Sequence, residues 1–223
     1  VAANLECTAS FLPKPVTGVN GNGMHTNMSF NKGGKNLFWD AKGTDGLSKA
    51  GWDAIDRILN NADDLCLVLN PSVNAYRRLD PHFEAPNQIK ASANNRGAMV
   101  RIPTGNEKSA RIEVRSVAPD ANPYLVFYSV MRTALEGPAS DTAADESKRS
   151  RTRFLPDNIY DGIRLFKGSK WMADALGETV AGKYAEVKQQ QADRCSKALG
   201  TLIKVPEIQF HHEVTNQYLW NQF

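Results

Sequence analysis

Residues 111–115, Arg-Ile-Glu-Val-Arg, constrain this chain more than any other stretch. In an extended strand side chains alternate faces, so Ile112 and Val114 point one way and Arg111, Glu113 and Arg115 the other. The apolar pair suits a core. The opposite face gathers two fixed cations around one carboxylate, a costly arrangement unless that face binds something charged. A metal ion and a polyanion side by side would satisfy it, and phosphoryl-transfer sites are built that way. Taken alone, the strand is better read as a solvated face with an internal ion pair.

It does not stand alone. Met24 to Phe30 repeats the pattern, with His25, Asn27 and Ser29 sharing one face and Met24, Met28 and Phe30 the other. In Ala98-Met-Val-Arg101-Ile102, Arg101 sits between apolar neighbours. If the three strands lie side by side, their polar faces merge into one concave floor. Their combination favours a binding site over a solvated surface.

The rest of the chain narrows the class. Its 223 residues can bury a real core as one large domain or two small ones. No apolar run approaches the ~18 residues of a membrane helix, and no signal-peptide pattern opens the chain. A net charge of +3, with basic residues scattered over strand positions, argues against a nucleic-acid surface. Cys7, Cys66 and Cys195 have no zinc-ligand spacing, and an odd count without a secretion signal reads as reduced thiols in the cytoplasm. Gly18 to Gly23 is glycine-rich but lacks the Gly-Lys-Ser/Thr ending of a phosphate loop.

Along the chain, a strand is expected over Glu6–Leu12, followed by a turn-rich segment from Pro13 to Gly23. A helix from about Ser48 to Asn70 follows from Ala54, Ile55, Ile58, Leu59, Ala62 and Leu65 on helical spacing. Residues 72–90 read as a long loop broken by Pro81 and Pro86, and strands are expected near 91–102 and 110–116. Asn122 caps a helix with Pro123 at its first position, ending at Gly137. Residues 138–155 read as an exposed loop and 156–223 as a helical region. The tail residues Phe210, Tyr218, Leu219, Trp220 and Phe223 carry enough apolar surface to dock on the domain or on a neighbouring subunit. Val1 is not a methionine and the chain enters directly on a strand-like segment, which suggests part of a longer protein.

Several motifs occur in one order: Asn20-Gly-Asn-Gly-Met-His25, Asn70-Pro-Ser-Val-Asn-Ala-Tyr-Arg-Arg78, Phe83-Glu-Ala-Pro86, Ser92-Ala-Asn-Asn-Arg96 and Arg111-Ile-Glu-Val-Arg115. Lys14-Pro15 and Asp120-Ala-Asn-Pro-Tyr124 join them. In this order and spacing the chain resembles the glutamine synthetases, over the carboxy-terminal part of their catalytic domain, closely across 1–137 and more loosely across 138–223. The resemblance implies an α+β fold: a curved antiparallel sheet with the site on its concave face, helices packed behind it, and a helical carboxy-terminal region.

It also implies an ATP-dependent ligase that phosphorylates the side-chain carboxylate of glutamate and lets ammonia displace the phosphate. By the family pattern His25 and Glu113 ligate a divalent ion, Mg²⁺ or Mn²⁺. Arg96 and Arg101 match the cations on the transferring phosphate. Arg78 and Arg115 match the residues that hold the two carboxylates of glutamate, where a guanidinium fork serves better than an ammonium. Asn20 and Gly21 match a loop lying against that substrate. Asn27, Ser29, Lys108 and Arg111 resemble nucleotide contacts. Glu84 matches the flap glutamate that closes the site and takes a proton from ammonium. The implied assembly is a homo-oligomer of two stacked hexameric rings, a dodecamer, with sites formed between subunits and no nucleic-acid or membrane partner.

Departures qualify the match. Asn27 stands where many bacterial members have histidine, Asn94 replaces a commoner arginine, and the Leu-Tyr-Asp-Leu pattern of an adenylylated tyrosine is absent. His82, His211 and His212 receive no role. Glutamates of the family's first metal site lie before the segment seen here, so the 223-residue chain by itself is expected not to make glutamine. Two alternatives stay open: a sibling ligase that joins glutamate to a polyamine or another amine, and a non-catalytic structural member.

Overall fold

The computed structural model describes residues 1–7, 9–16, 18–80, 85–140 and 153–197, the last four of these by backbone alone. The expectations for Glu84, His82, most of the 138–155 loop and the 198–223 tail lie outside the described residues.

Four short strands form the main sheet: β1 (Thr26–Met28), β4 (Gln88–Ser92), β5 (Ala98–Arg101) and β6 (Ile112–Val114), in the order β1-β6-β5-β4. A separate two-stranded ribbon, β2 (Asn31–Lys32) with β3 (Lys35–Asn36), follows β1. β6 runs antiparallel to both β1 and β5. The expectation of a wholly antiparallel sheet is corrected at one edge, where β4 runs parallel to β5. A five-residue return is short for a parallel connection. It is shaped by local side-chain bonds: Ser92 Oγ accepts from Asn95 N at 3.1 Å, and Asn95 Oδ1 accepts from Gly97 N at 2.7 Å.

The register explains the two faces. Thr26, Val114, Val100 and Ala91 form one row across the four strands; Asn27, Glu113, Arg101 and Ser92 form the next. Ile112, Val114 and Val100, which share a face, are sealed into the core. The polar row therefore lies on the opposite face, as side-chain alternation requires.

Among the described residues seven helices pack behind and beside the sheet: α1 (Lys49–Asn60), α2 (Ala62–Leu69), α3 (Val73–Arg78), α4 (Pro123–Glu136), α5 (Ile159–Gly168), α6 (Lys170–Leu176) and α7 (Glu178–Lys197). α1 meets β4 and β5, while α2 lies at the centre against α1, α4, α5 and α6. That position requires α2 to be apolar on nearly every side, and Leu65, Cys66, Leu67, Val68 and Leu69 are all buried.

Three expectations change here. The helix over 48–70 breaks at Asn61, whose Nδ2 donates to Arg57 O at 2.7 Å and to Pro138 O at 2.9 Å. An amide drawn to two carbonyls, one from a distant segment, stops the ladder. Among the described residues of 6–12 there is no strand; a 3₁₀ turn at Ala3–Leu5 precedes irregular chain. The supposed loop after residue 72 opens with α3, capped by Ser72, whose Oγ accepts from Ala75 N at 3.1 Å. The α4 boundaries match the sequence: Asn122 Oδ1 accepts from Tyr124 N and Leu125 N at 3.0 and 3.3 Å, and Gly137 is the C-cap. No helix among the described residues is long and apolar enough to cross a membrane.

Candidate active site

Glu113 is the pivot. It sits in the middle of β6, is only 7% exposed, and is met on three sides by nitrogen. His25 Nδ1, just before β1, lies 2.9 Å from Oε1, and Arg101 Nη1, at the end of β5, lies 3.3 Å from Oε2. Arg115 Nε adds an ion pair at 3.5 Å. Glu113 is the buried member, so removing the cations around it would leave a carboxylate with little water, whereas Arg101, 48% exposed, keeps its own. Burial is the main force lowering the His25 pKa; Arg115 and Arg78 add to it, while Glu113 opposes them. The imidazole is therefore held neutral at pH 7, the form that binds a metal.

α3 delivers Arg78 to the same floor. Its guanidinium is 7% exposed; Nη2 donates to the carbonyl of Arg115 at 2.9 Å, and Nη1 is buried without a hydrogen-bond partner. Burial, with help from Arg115, lowers its pKa to about 10, which leaves it charged at neutral pH. A buried, charged guanidinium with a spare N–H is poised to donate to a carboxylate oxygen.

Two cavities open onto this floor. One, of about 220 Å³, is lined by Asn20, Gly21, Gly23, His25, Arg78 and Arg115. The other, of about 310 Å³, is lined by Asn94, Asn95, Arg96, Arg101 and Arg115. Arg115 belongs to both, and its Nη1 donates to the carbonyl of Arg96. A third hollow of about 480 Å³ between β1 and α4 includes Asn27, Ser29, Phe30 and Phe127. Arg111 joins this side, its Nε donating to Asn27 Oδ1 at 2.9 Å.

Of the residues singled out from the sequence, Asn20, Gly21, His25, Arg78, Arg96, Arg101, Glu113 and Arg115 thus converge on two adjoining cavities. Asn27, Ser29 and Arg111 gather beside them. Lys108 lies on an exposed loop and lines none of the three. Glu84 is not described, although the next residues, Ala85 and Pro86, line the first cavity. Gly23 escaped the sequence reading. A Cβ there would lie 2.4 Å from Arg78 Nη2 and 2.9 Å from His25 Nε2, so its lack of a side chain is what lets them approach.

A divalent ion fits part of this set. A neutral imidazole and a carboxylate on adjacent strands are suitable donors. Among the described residues no group of three His, Cys, Asp or Glu side chains forms a fuller site. Among the described residues His25 and Glu113 are thus two donors that could share such an ion.

With this geometry in view, comparison with known proteins is decisive. The family model for the glutamine synthetase catalytic domain matches residues 1–202. The chain belongs to that family. It is 37% identical over 198 residues to the glutamine synthetase of Clostridium saccharobutylicum, covering 83% of this chain and 45% of that protein. The glutamine synthetase of Methanosarcina mazei is 40% identical over 198 residues, covering 83% of this chain and 44% of its own. That of Halobacterium salinarum is 36% identical over 205 residues, with 86% and 45% covered. The chain spans about half the length of the curated relatives it matches.

Proposed function

We propose that the protein carrying this chain is an ATP-dependent ligase that forms glutamine from glutamate and ammonia, and that this chain supplies its glutamate- and phosphate-facing floor. The observation that carries the reading is the Glu113 cluster, set between a cavity that offers Arg78 and one that offers Arg96 and Arg101. It divides the work as phosphoryl transfer requires, with cations placed where charge develops and little covalent chemistry asked of the protein.

Glutamate's carboxylates are held by Arg78 and Arg115, with Asn20 and Gly21 against its backbone. A side-chain carboxylate oxygen attacks the terminal phosphorus of ATP and ADP departs, giving the γ-glutamyl phosphate. Arg96 and Arg101 bear on the phosphoryl oxygens during that transfer. Asn27, Ser29, Arg111 and Lys108 hold the nucleotide. Ammonia nitrogen then attacks the acyl carbon, phosphate leaves, and Glu84 takes the proton that ammonium gives up. His25 and Glu113 would hold Mg²⁺ or Mn²⁺, which when bound offsets the charge of the nucleotide phosphates.

The finer architecture belongs to the same reading: one catalytic domain of which 1–223 is part, a curved sheet with the site on its concave face, and a cytoplasmic homo-oligomer of stacked rings. The test is phosphate release from ATP by the protein carrying this chain. Release is expected only when glutamate, ammonia and a divalent ion are all present. Release independent of glutamate, or faster with putrescine or ethanolamine than with ammonia, would overturn the substrate assignment. The same assay on the 223-residue polypeptide tests whether its share of the ligands suffices.

A further inference from the structure

α3 has six residues, too few to fix a buried guanidinium by helical hydrogen bonds alone. Polar contacts from elsewhere hold it. At its start Ser72 Oγ accepts from Ala75 N at 3.1 Å and donates to Asp120 Oδ2 at 2.6 Å. In its first turn Asn74, 1% exposed, clamps the backbone of Lys14: Oδ1 accepts from Lys14 N at 2.6 Å and Nδ2 donates to Lys14 O at 3.0 Å. That second clamp fixes the base of the segment leading to Asn20 and Gly21. At the far end is Arg78, bonded to the Arg115 carbonyl.

Asp120 does more than hold Ser72. Its Oδ1 is sealed from solvent and makes no hydrogen bond, and its charge acts on Arg78, opposing the effect of burial there. Lys188 of α7 is a second cation that feels this carboxylate.

We propose that Asp120 and Ser72 are positioning residues for the Arg78 subsite: the Asp120 carboxylate anchors, through the Ser72 hydroxyl, the start of the short helix that ends in Arg78. Neither touches substrate. The inference rests on reading Arg78 as a ligand for a glutamate carboxylate.

Two variants in the active protein separate the effects. Ser72→Ala removes the bond and keeps the charge, whereas Asp120→Asn keeps an acceptor and removes the charge. Each is expected to raise the KM for glutamate roughly tenfold, with kcat and the KM for ATP within about twofold. Ser72→Thr retains a hydroxyl and is expected to restore the glutamate KM. Ser169→Ala removes the cap of α6, where Ser169 Oγ accepts from Met172 N at 3.0 Å, and controls for stability. It is expected to lower Tm without moving the glutamate KM.

An unchanged glutamate KM in both Ser72→Ala and Asp120→Asn overturns the proposal, as does a fall in kcat at constant KM. Arg78→Lys tells which premise has failed. If it raises the glutamate KM while the other two do not, positioning alone is refuted. If Arg78→Lys has no effect, the reading of Arg78 itself falls. Should Asp120→Asn not fold, the Ser72→Ala and Ser72→Thr pair decides the matter.

Discussion

Gly23→Ala is a sharp test of how the first cavity works, because its clash falls on Arg78, a side chain that lines that cavity. The new Cβ would start 2.4 Å from Arg78 Nη2, about 1 Å inside ordinary van der Waals contact. Arg78 has little room to give: its guanidinium is buried, its Nη2 is bonded to Arg115 O, and its Cγ already lies close to Gly21. The guanidinium must therefore shift by about the length of the overlap and lose that bond. A hydrogen bond to a charged group contributes about 1.5–3 kcal/mol. At about 1.4 kcal/mol per tenfold, glutamate affinity is expected to fall roughly 10- to 100-fold. Stability is expected to fall as well, because the bond is lost in the unliganded protein too, and the usual Gly→Ala gain offsets only part of that loss. Gly23 lacks a positive φ, and Gly→Ala at a compatible position stabilises by about 0.4–1 kcal/mol through the unfolded chain. The assay is steady-state phosphate release with glutamate varied, alongside urea unfolding. A variant that keeps its glutamate KM within threefold (about 0.7 kcal/mol) would refute the reasoning. So would one whose KM rises only in proportion to a lost folded fraction.

Three further outcomes are expected. Glu113→Gln leaves His25, Arg101 and Arg115 without their shared carboxylate; activity should fall at least roughly 100-fold and saturate only at much higher divalent-ion concentration, read by titrating metal into the phosphate-release assay. Arg111→Lys cannot reproduce the Nε donation to Asn27, so the KM for ATP should rise several-fold, roughly 0.5–1.5 kcal/mol, while that for glutamate stays put; a change in the glutamate KM alone would contradict the assignment. Peptide mapping after alkylation at pH 8 should find Cys7 modified quickly. Cys66 should resist until the protein unfolds, because it is fully buried and burial pushes its thiol up to about 12.

How much of this was legible depends on range. The alternation in Arg111–Arg115 is a local rule, and Ile112 and Val114 are buried opposite Glu113 as it requires. The joint motif order likewise assembled the residues that now line two cavities. What sequence could not supply was pairing between distant segments. The break at Asn61 depends on the carbonyl of Pro138, which periodicity within 48–70 cannot see. The parallel edge of β4 depends on how 93–97 folds back, and a strand's composition does not state its direction. α3 was hidden among prolines, although the serine preceding it is an N-cap signal that a closer reading could have used. Asp120 was visible only as part of a motif; its bond to Ser72 spans 48 residues.

Arg115 carries one consequence beyond its own ion pair. Its side chain borders both cavities and grips the Arg96 backbone, while its carbonyl receives Arg78. A ligand that draws this guanidinium towards one cavity alters the walls of the other. Linkage is reciprocal, so whatever factor one occupant imposes on its neighbour's affinity must be returned in full. The two hollows then act as a single thermodynamic unit. Substrates measured one at a time would miss the factor by which each changes the hold on the other.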